Sequence, residues 1–395
     1  MTSRRLQFPV LVAWLFALVL AVPHVPTARA GLTDKLKKKA EQEANKAAND
    51  ALKKTPAAQE AEAESTPATT TESAAADETQ VSAVSTKFDY VPGDKVLFYD
   101  DFTQDPLGEF PTNWKLKTGT FEVAEMKGQR WMRCTSTDSD ISMKLPPMPT
   151  LPEYWTLEFD FFCSEASGNV LNVFGKNGDT EVWVATFPYS GNSLMFRSGE
   201  VSAVTPLEGG EVWGRTHHVM FMARGTGLKV YIDRQRMASV PEINAAPGAP
   251  TTLSYRLWSD KGPMITNVRF AEGNKPIADP FANGKLVTYG IYFDSGSDVV
   301  KGESAPVLRQ IAAYMEKDAA VKVEIDGHTD NVGAAASNLD LSKRRAASVA
   351  KVLSEQFKIA SERFKIDGMG DTKPVAGNDK PEGRAMNRRV EFSKL

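Results

Sequence analysis

Cysteine and histidine are scarce in this chain of 395 residues, which contains two cysteines and four histidines. Among them only His217 and His218 are adjacent, and neighbouring residues of a strand point to opposite faces of its sheet. The sequence therefore predicts neither a metal site nor a cofactor. Cys134 and Cys163 lie in strand-like segments, where they form either one disulfide between neighbouring strands or two buried thiols.

A strong charge bias is also absent. The formal net charge is −3 at pH 7, so the composition gives no reason to predict a nucleic-acid partner. The length is sufficient for two ordinary domains and additional accessory segments.

Long apolar runs are absent except for residues 8–22, which are too few for a comfortable membrane span. Arg4 and Arg5 precede this run, and Ala28-Arg29-Ala30 supplies the small residues that a signal peptidase recognises. Residues 1–30 are therefore predicted to be the signal peptide of an exported protein, with an uncleaved membrane anchor as the alternative. No cysteine follows the run directly, which argues against a lipoprotein.

Two segments without a predicted core follow. Residues 31–54 lack proline and internal glycine, and Leu and Ala recur there every four residues, which predicts a charged helix with a narrow apolar stripe. This helix is either a solvated spacer or one that binds a membrane surface or self-associates. Residues 55–94 are predicted to be a disordered linker, because most of this segment is rich in Ala, Thr, Glu and Ser and cannot bury enough apolar surface.

The composition changes at residue 95. Up to residue 272, short runs of alternating apolar and polar residues are separated by Gly, Asn and Ser turns, and every tryptophan except Trp14 lies here. This pattern predicts an antiparallel β-sandwich. The opening segment Tyr99–Phe102, the central strand Trp155–Asp160 and the closing strand Ile265–Phe270 resemble those of the concanavalin A-like lectin/glucanase jelly roll.

After a second predicted linker at 273–285, strand and helix patterns alternate. Helices that alternate with strands bury one face of a small mixed sheet, so an α+β domain is predicted over 286–395. The strands are predicted at 286–293, 321–326, 364–368 and 389–393, and the helices at 301–316 and 338–356.

Three motifs stand out in this last domain: Gly327–Gly333 (GHTDNVG), Leu341–Ala346 (LSKRRA) and Gly383–Glu391 (GRAMNRRVE). Together they resemble the peptidoglycan-binding domain of the OmpA C-terminal family, which Pal and MotB proteins share. The resemblance implies a βαβαββ fold. It also implies a partner, the diaminopimelic acid of the peptidoglycan stem peptide.

The free end of diaminopimelic acid carries an ammonium and a carboxylate on one carbon, so its recognition needs a fixed anion beside a fixed cation. The two principal ligand residues of the family match Asp330, which follows a strand, and Arg345, in the next helix. An arginine can grip a carboxylate with two parallel hydrogen bonds. Four further positions complete the predicted site: Asn338 and Arg388 as secondary ligand contacts, and Thr329 and Asp294 at the rim.

These residues also have structural interpretations. Asp330 could cap its own turn, and Arg345 could be a solvated helix arginine. Arg388 and Arg389 alternate along a predicted strand, so only one of them can face the site. No grouping of nucleophile, base and oxyanion donors surrounds Asp330, so the domain is predicted to bind its ligand and not to cleave it.

The sandwich offers two alternative functions. Glu158 and Asp160 resemble the start of a glucanase motif, but its third acid is missing, so the pair is predicted to face solvent and hydrolysis is disfavoured. Three tryptophans could instead stack on sugar rings, which makes a glycan or an envelope protein an alternative partner: Trp183, Trp213 and Trp258. The main prediction is a non-enzymatic protein of the periplasm or outer membrane that its C-terminal domain tethers to the cell wall.

Overall fold

The computed structural model describes residues 88–164, 170–209, 212–243, 250–258, 262–273, 281–282 and 284–395. The predicted signal peptide, the charged helix and most of both linkers lie outside these residues. Within the described part of the chain, no helix combines the length and the apolar character that a membrane crossing requires.

The first domain is built from strands alone. They are β1 (Lys95–Asp100), β2 (Trp114–Thr118), β3 (Phe121–Met126), β4 (Gln129–Cys134), β5 (Ser139–Met143), β6 (Tyr154–Phe162), β7 (Leu171–Asn177), β8 (Thr180–Tyr189), β9 (Ser193–Ser198), β10 (Val201–Pro206), β11 (Thr216–Arg224), β12 (Gly227–Ile232), β13 (Gln235–Val240), β14 (Thr252–Leu257) and β15 (Met264–Glu272).

These strands form two antiparallel sheets, which confirms the predicted sandwich. The order of the first sheet is β13-β12-β11-β6-β15-β4-β3, and β1 pairs with the second half of β15. The order of the second sheet is β10-β9-β8-β7-β14-β5-β2. Alternate residues of each strand point inward, so Leu157, Phe159 and Phe161 of β6 are fully buried between the sheets.

The sandwich core also contains groups that the sequence left ambiguous. Cys134 and Cys163 are both buried and no disulfide joins them, so the alternative with two buried thiols describes this structure. Trp183 is fully buried and stacks on Trp155, with 6.3 Å between ring centroids, so it cannot serve as a surface for sugar rings. Of the three candidate tryptophans, Trp258 is 48% exposed.

Part of the outer face of the first sheet is covered by the segment that precedes β1. Phe88 and Tyr90 pack on outward-facing apolar residues of β11 and β12, namely Met220, Met222 and Tyr231. The predicted linker over 55–94 is therefore wrong at its end, because its last aromatic residues find an apolar surface to bury. Val91 of the same segment packs against the core of the C-terminal domain.

The C-terminal domain is an α+β unit, as predicted. Its strands are β16 (Lys285–Thr288), β17 (Val323–His328), β18 (Phe364–Gly370) and β19 (Val390–Lys394), and its helices are α1 (Ala305–Lys317), α2 (Ala335–Glu355) and α3 (Pro381–Asn387), with 3-10 turns at Gly302–Ser304 and Ser361–Arg363. The sheet order is β16-β19-β17-β18, with β17 and β18 parallel. Two details differ from the prediction: the first strand ends at Thr288, and the short helix α3 separates the last two strands.

Candidate functional site

The predicted site lies where β17 ends and α2 passes over the sheet. Gly327 of β17 and Gly368 of β18 are register partners, and neither has room for a side chain. A Cβ atom at Gly327 would lie 2.1 Å from the carbonyl oxygen of Ser342, and one at Gly368 would lie 2.5 Å from the amide nitrogen of Lys343. The two glycines therefore allow α2 to pack directly on the sheet, which sets the height of Arg345 above the strand ends.

Asp330 occupies the turn that follows β17. Its Oδ1 accepts a 3.1 Å hydrogen bond from the amide of Val332, which is the capping role considered above. Its Oδ2 accepts a 2.6 Å bond from Nη1 of Arg388. The side chain is only 12% exposed. The turn-capping interpretation therefore holds for one carboxylate oxygen, while the other oxygen forms an ion pair with Arg388.

Two other predicted residues hold or border this turn. Asn338, in the first turn of α2, donates from Nδ2 to the carbonyl oxygens of Asp330 and Val332, each at 3.2 Å. Its side chain therefore fixes the loop that presents the carboxylate. Thr329 borders the turn and is buried, and its Oγ1 has no hydrogen-bond partner among the described residues.

Arg345 is held by the loop on the other side of the site. Its Nε donates to the carbonyl oxygen of Ser297 at 2.9 Å, and its Nη2 donates to that of Asp294 at 3.2 Å. The guanidinium lies over the ring of Phe293, with 4.8 Å to the centroid. Within the described residues these contacts leave Nη1 and the second Nη2 hydrogen for a ligand. Asp294 thus contributes its carbonyl, while its exposed carboxylate pairs with Lys301.

An ion pair within helix α2 is formed by Arg344 and not by Arg345. Arg344 donates from Nε to Asp340, one helical turn earlier, at 2.8 Å. Arg344 is half exposed and also pairs with Asp298 at 3.2 Å, whereas Arg345 turns toward the site.

Arg388 and Arg389 face different ways, but not because they alternate along a strand: Arg388 directly follows α3, and β19 begins only at Val390. Arg388 pairs with Asp330, whereas Arg389 is buried and donates from Nε to Glu391 at 2.7 Å. The site therefore contains one carboxylate and two guanidinium groups. Burial, together with the nearby charge of Arg388, lowers the pKa of Arg345, and the charge of Asp330 opposes this effect. This arrangement can bind a group that carries both charges. No described cluster of His, Cys, Asp or Glu has the geometry to hold a metal ion.

Comparison with known proteins assigns this region. Residues 292–388 match the family model described as "OmpA family". These residues form an OmpA family domain. The C-terminal domain is called the OmpA domain from here on.

The relatives resemble this chain in that domain. Outer membrane porin F of Pseudomonas fluorescens is 40% identical over 114 residues, which cover 29% of this chain and 35% of that protein. Motility protein B of Bacillus subtilis is 36% identical over 116 residues, which cover 28% of this chain and 44% of that protein. Among solved structures, the cell wall anchor of the T6SS from Pseudomonas aeruginosa is 37% identical, with 28% of this chain and 80% of that chain covered and a TM-score of 0.26. The chain spans less than half of either curated relative.

The alternative acidic site on the sandwich is covered by the OmpA domain. Glu158 accepts hydrogen bonds from Arg269 Nη1 at 3.0 Å and from the Tyr292 hydroxyl at 2.8 Å. Asp160 Oδ1 lies 2.8 Å from Nδ1 of His218. The prediction that this pair faces solvent was wrong, because an alternating pattern cannot reveal that a second domain packs on the outer face. Both carboxylates already have partners, which argues against a hydrolytic role.

The sequence analysis did not identify two buried polar residues that hold the loops of the OmpA domain in place. Ser342 is fully buried, accepts a 2.9 Å hydrogen bond from the amide of Gly370 and donates to the carbonyl of Leu339, which ties α2 to the end of β18. Asn387 is also fully buried, and its Oδ1 accepts bonds from the amides of Val375 and Ala376. Both belong to the quoted motifs, so the motifs specify loop anchors as well as ligand contacts.

Proposed function

We propose that the protein binds peptidoglycan non-covalently through the OmpA domain, and that the group it recognises is the diaminopimelic acid of the stem peptide. The main observation is the geometry of the site. A largely buried carboxylate, Asp330, lies at a strand end beside the guanidinium groups of Arg345 and Arg388. The ammonium and carboxylate on one carbon of diaminopimelic acid match this pairing of an anion with cations.

Each half of the ligand has a partner. The ligand ammonium binds the carboxylate of Asp330, and the ligand carboxylate binds the open edge of Arg345. The backbone carbonyls of Ser297 and Asp294 keep that guanidinium in one orientation. Fixing both charged groups before the ligand arrives reduces the ordering cost of binding.

The expected affinity for a free peptide is modest. An exposed ion pair typically contributes ~0.2–1 kcal/mol, and partial burial of Asp330 raises that contribution. The sacculus is a polymer that presents the same group many times, so local rebinding retains the protein even when a single contact is weak. The protein is thus an exported, non-enzymatic envelope component that is tethered to the wall. A glycan or an envelope protein remains a candidate second partner for the sandwich.

The test is co-sedimentation of the chain without residues 1–30 with purified sacculi. Arg345→Lys and Arg344→Lys form a matched pair, because the two arginines are adjacent and only Arg345 faces the site. We expect Arg345→Lys to lower binding about 10-fold, because lysine cannot form the two parallel hydrogen bonds. Arg344→Lys should bind like the wild type. Asp330→Ala should bind least.

Two further arms identify the ligand. Free diaminopimelic acid should compete with the sacculi, and sacculi with lysine in place of diaminopimelic acid should bind weakly. Equal binding to both types of sacculus would contradict the assignment of diaminopimelic acid. Undiminished binding by an Asp330→Ala/Arg345→Ala variant would move wall binding to another part of the chain, such as the sandwich.

A further inference from the structure

The OmpA domain is not the only contributor to the site, because Arg388 also contacts the sandwich. Its guanidinium lies over the ring of Tyr99, a residue of β1, with 4.9 Å to the ring centroid. A cation at this distance from an aromatic face is attracted to it. Arg388 is therefore held between the Asp330 carboxylate on one side and an aromatic ring of the other domain.

Tyr99 is itself fixed. It is 8% exposed, and its hydroxyl donates a 3.3 Å hydrogen bond to Oδ1 of Asn267 on β15. Burial raises the pKa of Tyr99 to about 12, so the ring is neutral at physiological pH. The ring therefore provides Arg388 with a rigid support and no competing negative charge.

A second contact fixes α3, the helix that immediately precedes Arg388. Arg384, in α3, donates from Nη2 to Oγ1 of Thr103 at 3.2 Å, and the same nitrogen lies 3.8 Å from Oδ1 of Asp101. The amide of Arg388 in turn donates to the carbonyl of Arg384 at 3.0 Å. The loop after β1 thus locates α3, and α3 locates Arg388 over Tyr99.

We propose that Tyr99 is a positioning residue of the peptidoglycan site, so that the sandwich forms one wall of the site and holds Arg388 in place. This inference depends on the proposed function. A ligand ammonium competes with Arg388 for Oδ2 of Asp330. The aromatic ring retains the guanidinium beside the site when that oxygen turns to the ligand. The side chain of Arg388 is still 32% exposed, so the sandwich supports the group without closing the site.

The test uses sacculus binding by the full mature chain. Tyr99→Leu removes the ring and should weaken binding by about 3- to 10-fold, which is the range expected for loss of a partly buried cation–π contact. Tyr99→Phe keeps the ring and should bind like the wild type. Tyr189→Leu, a matched control in the second sheet, should have no effect.

A double-mutant cycle separates positioning from a general loss of structure. If Tyr99 acts through Arg388, then adding Tyr99→Leu to the Arg388→Ala variant should cause no further loss of sacculus binding. Should Tyr99→Leu fold poorly, the cycle is repeated with Tyr99→Met, whose flexible side chain fills irregular space.

The outcomes distinguish this inference from the proposed function. Loss of binding by Asp330→Ala together with wild-type binding by Tyr99→Leu would overturn the role of Tyr99 alone. Tighter binding by Tyr99→Leu would show that the sandwich obstructs the site, and would also overturn it. If Tyr99→Leu weakened sacculus binding equally in the presence of Arg388 and in the Arg388→Ala background, the proposed role of Tyr99 would likewise be overturned. Retained binding by Asp330→Ala would overturn the proposed function itself.

Discussion

The hydroxyl of Tyr292, in the OmpA domain, donates a 2.8 Å hydrogen bond to Oε2 of Glu158 in the sandwich. Glu158 is buried and also pairs with Arg269, so the two domains share one buried polar cluster. The ring of His218 lies against that of Tyr292, with 5.9 Å between centroids. The two domains are therefore joined by specific contacts at their interface.

Removing this hydroxyl should weaken the whole unit. We expect Tyr292→Phe to lower the free energy of unfolding by about 1–2 kcal/mol, because a buried carboxylate loses one of its donors. Urea denaturation measures the change. The control is Tyr314→Phe in the same domain, where the ring packs on Phe281 and the substitution should have little effect. Equal stabilities of the two variants would contradict a role for the hydroxyl in joining the domains.

Stability should fall at alkaline pH through His218. Burial alone would lower its pKa, but the hydrogen bond to Asp160 and the nearby Glu158 carboxylate outweigh burial and raise the pKa to about 10. The stabilisation is therefore complete below the unfolded pKa of 6.5 and is lost as the pH rises through about 10. Lys301, which also acts on Asp160, and Arg269 stay charged over most of this range.

The measurement is the melting temperature of the wild type and of His218→Gln from pH 6 to pH 10. We expect the wild type to melt higher at pH 6 and the two curves to converge toward pH 10. A difference that stayed constant across this range would show that His218 does not titrate as its contacts imply.

Asn338 should act on binding through the loop and not mainly through the ligand. Asn338→Ala removes both of the bonds that hold the carbonyls of Asp330 and Val332. We expect a loss of about 1–2 kcal/mol in stability and weaker sacculus binding. Asn331→Ala, an exposed position in the same loop, is the control. Normal binding by Asn338→Ala would show that Asp330 is held by its remaining contacts.

The two thiols should be protected in the native protein. Cys134 and Cys163 are fully buried thiols that no disulfide joins, and burial raises the pKa of Cys134, which further disfavours the reactive thiolate. Without reductant, a thiol reagent should modify neither residue in buffer and both in concentrated urea. Unfolded protein that shows no free thiol would indicate a disulfide in solution.

Much of the architecture was predictable because its signals are local. The alternation of apolar and polar residues in 155–162 and 217–223 predicted strands β6 and β11. The spaced motifs around Asp330 indicated the family of the last domain. Helix α3 was missed because seven residues that include Gly383 show no clear helical period. The sequence also assigned Asp330 and Arg388 to one predicted site, and the structure joins these two residues by an ion pair.

The sequence could not show whether water or another domain covers the polar face of a strand. Glu158 and Asp160 alternate with core residues, and the same pattern is expected whether water or another domain covers them. The contact between Tyr99 and Arg388 joins residues from the two ends of the folded unit, and no local pattern links them. Contacts between domains depend on the shapes of the folded surfaces, and these cannot be predicted from the pattern of apolar and polar residues along the chain.

Strand β1 begins the sandwich and pairs with β15, which ends it, and Lys95 lies opposite Glu272. The chain therefore enters and leaves the sandwich at the same end of one antiparallel pair. Tension between residues 94 and 273 would break the hydrogen bonds between these two strands one after another. This arrangement resists force less than one in which all the hydrogen bonds of a strand are loaded together. At the far end of β1, Tyr99 and Asp101 are held by arginines of the OmpA domain. The interface with the OmpA domain is thus also where the protein would resist mechanical load.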